Sequence, residues 1–118
     1  MSSSFLTSVF EPVYAVPANQ NTTDAFADVT GSKIDTFSKT KVCYTCKNVA
    51  VGNSIDWKVL CSNDDTTYIE AQASATLIPN AVGSYTNTLA TYRYYKVQIK
   101  ATVGGAHGTS NIVGYSKV

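Results

Sequence analysis

The sequence predicts an all-β protein, a single antiparallel β-sandwich, Ig-like or jelly-roll, of about seven or eight strands with an extended N-terminal arm. Three observations carry this. Charged residues make up only 14% of the 118-residue chain, and Ser, Thr, Asn and eight tyrosines fill the space they leave. Such a composition suits strands better than helices. Hardly any window places apolar residues at i, i+3, i+4 and i+7, whereas several stretches alternate apolar and polar residues with period two. Asn, Asp, Gly and Pro punctuate those stretches at the spacing of a sandwich. A chain of this length is one domain with room for a core of its own.

Residues 1–22 form an arm or edge segment and residues 23–118 the sandwich. Met-Ser-Ser-Ser has no core-forming pattern, and Phe5, Leu6, Val9 and Phe10 follow as an apolar patch ahead of Pro12 and Pro17. Two readings stand side by side: a frayed terminus with one edge strand at Val13–Val16, where proline is tolerated, or an arm whose Phe5, Leu6, Val9 and Phe10 dock on another subunit. The terminus lacks the positive start of a secretory signal, so export by that route is not expected.

Asp24–Thr30 alternates Ala25, Ala27 and Val29 against Asp24, Phe26 and Asp28, and stops at Gly31-Ser32. Thr40–Lys47 places Val42, Tyr44 and Cys46 on one face and Lys41, Cys43, Thr45 and Lys47 on the other. NVAVGN (48–53) turns the chain into Ile55–Ser62, where Ile55, Trp57, Val59 and Cys61 alternate with Asp56, Lys58, Leu60 and Ser62. Trp57, the single tryptophan, is the largest expected core residue. The Asn63-Asp64-Asp65 cluster turns that strand into the next, which carries Ala71, Ala73 and Ala75 and ends at Pro79-Asn80. Gly83–Leu89 is a polar strand with Tyr85. Tyr92–Val103 is the longest clean alternation, with Tyr95, Val97, Ile99, Ala101 and Val103 on its inner face, and reads as a central strand. Gly104–Gly108 reads as a hairpin loop and Ser110–Lys117 as the last strand.

A formal charge of +1 with dispersed Lys and Arg gives no field for gripping nucleic acid, and no apolar run approaches membrane-spanning length. Neither partner is expected. The CxxC of Cys43 and Cys46 lies in a strand, where residues three apart face opposite ways, and zinc would need ligands beyond Cys61 and the lone His107. Three free thiols, no disulfide, no metal and no cofactor are expected. An odd thiol count also fits synthesis in a reducing cytoplasm. His107, in GGAHG, has no nucleophile or orienting acid near it in sequence, so no catalytic residue is assigned. Asn63-Asp64-Asp65 lacks the spacing and terminal Glu of a calcium loop and reads as an Asx turn. Tyr92 and Tyr94, interleaved with Arg93 and Lys96, are possible surface contacts, because exposed tyrosines on a sheet serve cross-strand packing, protein contact or ligand stacking.

Residues 92–116, YRYYKVQIKATVGGAHGTSNIVGYS, resemble the last two strands of fibronectin type III domains. WKVLCSNDDTTY (57–68) is similar to the SNDG-x-x-W hairpin of discoidin-like carbohydrate-binding sandwiches, with Asp65 and Thr66 where that pattern has Gly. The immunoglobulin pattern fails, since Cys61 stands four residues past Trp57 and cannot be its distant disulfide partner. SIDWKVLCSNDDTTYIEAQ joined to YRYYKVQIKATVGGAHG most resembles the small β-sandwich or jelly-roll virion proteins of tailed bacteriophages, over about residues 40–117. That resemblance implies a non-enzymatic structural protein of the virion, made in the host cytoplasm. In its most specific form this is a capsid decoration (cement) protein that binds the head shell, with the major capsid protein or another virion protein as partner and a homo-oligomeric state. The alternatives are a carbohydrate-binding or adhesion module, with Trp57 or Tyr94 as sugar platform, and an accessory domain of a tail or fibre.

Overall fold

The computed structural model describes residues 12–37, 39–90 and 92–118, which contain ten strands and no helix. They are β1 (Val13–Ala15), β2 (Gln20–Asn21), β3 (Ala27–Asp28), β4 (Ile34–Asp35), β5 (Lys41–Asn48), β6 (Ile55–Ser62), β7 (Ile69–Leu77), β8 (Val82–Asn87), β9 (Tyr94–Ala101) and β10 (Thr109–Lys117). All pairings are antiparallel. Sheet A runs β1-β10-β5-β8 with β2 also on β10, and sheet B runs β3-β9-β6-β7 with β4 also on β9.

β1 and β2 share one side of β10, and β3 and β4 share one side of β9. The ten segments therefore occupy eight strand positions, two of them filled by broken pairs. The strands expected from sequence all have counterparts, and β2 and β4 are the additions. Along these positions the chain changes sheet at every step except β6 to β7. That is the order of a jelly roll, in which two four-strand layers are wound together.

Several expectations are corrected by this winding. Gly104–Gly108 is not a hairpin loop, because β9 and β10 lie in opposite sheets and the loop carries the chain between them. The fibronectin-like reading of the last two strands as neighbours fails for the same reason. Val103 is 65% exposed rather than inward, since β9 ends at Ala101 and a bridge from Val103 to Ala106 closes the turn. Within Asp24–Thr30 only Ala27–Asp28 pairs. Leu60 and Ser62, placed by alternation on the wet side of β6, are both buried. Ser62 is enclosed by its own turn, where its hydroxyl accepts from the amides of Asp64 and Asp65.

The core forms between the two inner faces. Trp57, Val59 and Cys61 of β6 stand opposite Ile99, Val97 and Tyr95 of β9, and Val42, Tyr44, Cys46 and Ile112 approach them from sheet A. Glycines make room for the two large rings, Gly83 across the sheets from Trp57 and Gly114 beside its paired neighbour Tyr44 within sheet A. A Cβ on Gly83 would lie 2.9 Å from the Trp57 indole, and one on Gly114 would lie 2.6 Å from the Tyr44 ring. The Tyr44 hydroxyl crosses the sandwich, 2.6 Å from the Ser32 carbonyl and 3.1 Å from that of Tyr95, and burial pushes its pKa up. Asn48, fully buried, donates to the carbonyls of Asn53 and Leu77 and accepts from the Ala50 amide, which pins the β5–β6 corner. At the β7–β8 crossover Ala81 N–H bonds the Ile78 carbonyl around Pro79-Asn80, with Asn80 at φ 66°, the left-handed position a type II turn requires.

Candidate functional site

The two outer faces differ in chemistry, and the difference follows from which residues the alternation turns outward. On sheet B the outward positions of β3, β4, β6 and β9 are mainly charged. Five ion pairs form there: Lys33–Asp65 at 2.7 Å, Lys58–Glu70 at 3.5 Å, Arg93–Asp35 at 3.1 Å, Lys96–Asp28 at 2.9 Å and Lys100–Asp56 at 3.5 Å. Aromatic rings sit between them. Lys58 Nζ lies 4.2 Å from the Phe26 ring centre and Lys96 Nζ 4.1 Å from that of Tyr68, while Arg93 lies 5.1 Å from that of Tyr94.

A cleft of about 460 Å³ opens on this face between the β3–β4 loop and the β6–β7 turn, lined by Asp28, Lys33, Asp65, Tyr68 and Lys96 among others. Its polar groups already satisfy one another. Burial raises the pKa of Asp28, but the hydrogen bonds from Gln98 and Lys96 outweigh this and leave it lowered. Asp65 is lowered by Lys33 and by the hydroxyl of Tyr68, which donates to it. A ligand entering here would have to displace ion pairs rather than fill empty donors.

Sheet A presents the opposite surface. Its outward residues include Tyr14 on β1, Val113, Tyr115 and Lys117 on β10, Lys41, Cys43, Thr45 and Lys47 on β5, and Val82, Ser84 and Thr86 on β8. No carboxylate stands among them, and Lys41, Lys47 and Lys117 make no ion pair among the described residues. Tyr14 packs on Tyr115 with ring centres 4.8 Å apart. Beside them Tyr115, Cys43 and Thr86 stand in register across three strands. The small side chains of Cys43 and Thr86 leave a groove of about 290 Å³ between the tyrosine and Thr88, with Lys41 and Lys117 also lining it.

The residues singled out by sequence fall in separate places. Phe5, Leu6, Val9 and Phe10 lie outside the described residues. Tyr94 is half-buried on the outer face of sheet B, between Lys33 and Arg93. Tyr92 packs partly against the core instead. Trp57 is 1% exposed, so it cannot serve as a sugar platform. His107 is exposed, with Nε2 3.4 Å from Asp24 Oδ1. Cys46 and Cys61 are buried and Cys43 is partly exposed, all three as free thiols. Among the described residues no group of three or more His, Cys, Asp or Glu is placed to hold a metal. Sequence reasoning missed the cleft around Tyr68 and Lys96, since Lys33, Asp65 and Lys96 are far apart in the chain, and the pairing of β3 and β4 with β9 together with the β6–β7 turn brings them to one place.

No family model matches the chain, and no curated protein matches its sequence. Solved structures do match its fold. The SPBc2 prophage-derived protein YomS aligns with a TM-score of 0.62 at 7% identity, covering 92% of this chain and 94% of that one. A Bacillus endospore appendage protein, from a family of disulfide-linked pili, aligns at 0.52 with 13% identity, covering 92% and 86%. The PBSX exported protein XepA aligns at 0.58 with 12% identity over 89% of this chain but 36% of its own length. At such identities the likeness is one of fold. The sandwich expected from the phage-like segments is thus the fold of a prophage-derived protein.

Proposed function

We propose that this chain is a non-enzymatic structural protein of a tailed-phage particle, a capsid decoration protein that binds the assembled head shell. The observation that carries the reading is the division of the outer faces. Sheet B neutralises its own charges, whereas sheet A offers tyrosine, valine and unpaired lysine with no described acid beside them. A surface of that kind suits burial against a protein partner better than catalysis. The fold shared with a prophage-derived protein and with an appendage protein supports it. The partner is the major capsid protein or another virion protein. Phe5, Leu6, Val9 and Phe10 supply the contact between copies. The test is to mix purified protein with heads that lack it and sediment them through a sucrose gradient. Saturable retention with the heads is expected. A protein left wholly at the top of the gradient contradicts the reading.

The carbohydrate-binding alternative rests on one specific feature, the cleft beside Tyr68 with Tyr94 nearby. A glycan array decides it: binding to a defined glycan, lost in Tyr68→Ala, would favour that function over docking on a shell.

A further inference from the structure

We propose that the N-terminal segment Phe5–Glu11 of one copy seats in the sheet A groove of a second copy. This rests on the assembly role proposed above and names the surface that the segment meets.

The groove itself defines what fits. At about 290 Å³ it stands at the small end of the roughly 300–1,000 Å³ of ligand sites, room for one large apolar side chain. Small side chains, Cys43, Thr86 and Thr88, leave space beside the flat ring of Tyr115, which suits an apolar knob. Lys41 and Lys117 also line it and have no carboxylate partner among the described residues. The matching occupant therefore combines apolar side chains with an acid. Residues 5–11, FLTSVFE, have that composition: Phe5, Leu6, Val9 and Phe10 followed by Glu11, the one acidic residue before Asp24.

The point of attachment selects a second copy. Val13 pairs with Ser116, so the described chain starts, at Pro12, next to Lys117, at the end where the groove lies. Pro12 fixes its own φ, and the steric rule for a residue preceding proline disfavours helical backbone at Glu11. Return to the groove of the same copy would need the arm to reverse within a few residues of Pro12, back across the end of β10. Eleven residues extended away from it reach roughly 36 Å, enough to cross onto a neighbour. An arm in one place and its groove in another make a head-to-tail contact, which closes into rings or continues as a fibre.

The test is a complementation in the analytical ultracentrifuge. One variant lacks residues 1–10 and keeps the groove; the other, Thr86→Arg, keeps the arm and blocks the groove with a bulky cation. Circular dichroism confirms that each is folded, and Phe5→Ser/Phe10→Ser replaces the truncation if that fails to fold. The native chain should self-associate, and each variant alone should do so at least about tenfold more weakly. An equimolar mixture should form a complex of two copies and stop there, because one arm and one groove remain. A mixture that stays monomeric, or a Thr86→Arg protein that associates like the native chain, overturns the proposal. A native chain that is monomeric yet sediments with heads overturns this contact alone and leaves the structural role standing. Failure to sediment with heads, alongside intact complementation, overturns the role and keeps the contact.

Discussion

Trp57 shows how a single side chain sets the spacing of the two sheets. Its indole lies under Gly83, where a Cβ would come within 2.9 Å of the ring, so tryptophan and glycine fit only together. Trp57→Ala is expected to cost about 3–5 kcal/mol, the range for emptying a large core site. Gly83→Ala should cost about 1–3 kcal/mol by overpacking, and should cost less in a Trp57→Phe background, where the ring is smaller. Denaturant unfolding of the wild type and these four variants measures both, and a Trp57→Ala protein with wild-type stability would place the indole elsewhere. The thiols give a second prediction at this scale. Burial pushes the Cys46 thiol up to about 12 and raises that of Cys61 as well, so both are poor nucleophiles in the folded chain. Titration with a disulfide reagent should modify Cys43 first and Cys46 last, with all three reacting once the protein is unfolded. Fast labelling of Cys46 under native conditions would contradict its place in the core. Buried polar residues were less legible than these. Nothing in the alternation of β5 distinguishes the hydroxyl of Tyr44 or the amide of Asn48 as groups that tie opposite sheets and corners. Their partners, Ser32, Tyr95, Asn53 and Leu77, come from other strands and loops.

At the scale of elements, the long strands β5, β6, β9 and β10 were legible because eight or nine residues repeat the alternation often enough to declare a face. β2 and β4 have two residues each, too few to show any period. β7 departs from its pattern in another way. Register shifts against β6 between Trp57 and Leu60 add residues on the β7 side, so Ala71, Ala73 and Ala75 do not keep one face. The β6–β7 turn behaved as read: the Asp64 carboxylate accepts from the amides of Thr66 and Thr67, an Asx turn, and these bonds lower its pKa. It joins Asp35, lowered by Arg93, and Asp56, where the hydrogen bonds of Thr76 and Thr102 overcome the upward push of burial. Each carboxyl folds with a pKa below its unfolded value near 4, so the stability it contributes is complete above about pH 4 and is lost as pH falls through the lower folded value. Melting temperature should change little on their account between pH 5 and 8 and drop below about pH 4. Asp56→Asn should flatten that drop. A melting temperature that rises on acidification from pH 5 to 3 would contradict the ion-pair arrangement of sheet B.

For the whole molecule, the class of fold was legible and its winding was not. Gly104–Gly108 announces a reversal, but a reversal within one sheet and a crossing to the other use the same turn residues. The jelly-roll order emerges only from long-range pairing such as β1 with β10 and β3 with β9. The division of charge between the faces was equally hidden, because Lys41 and Lys47 look no different in sequence from Lys96 and Lys100. β1 is the first strand among the described residues, and the sequence reads residues 1–10 as an arm, so their removal should leave every described strand in place. The circular dichroism spectrum should then be nearly unchanged while association weakens, and an unfolded truncation would assign those residues to the domain's own core. We propose that this sandwich is a structural part of a phage particle. Electron cryomicroscopy of particles assembled with and without the protein tests that most directly. Extra density of one sandwich per site is expected at regular positions on the outer head shell, absent from particles made without it. Identical maps, with no protein detected in the purified particles, would contradict it.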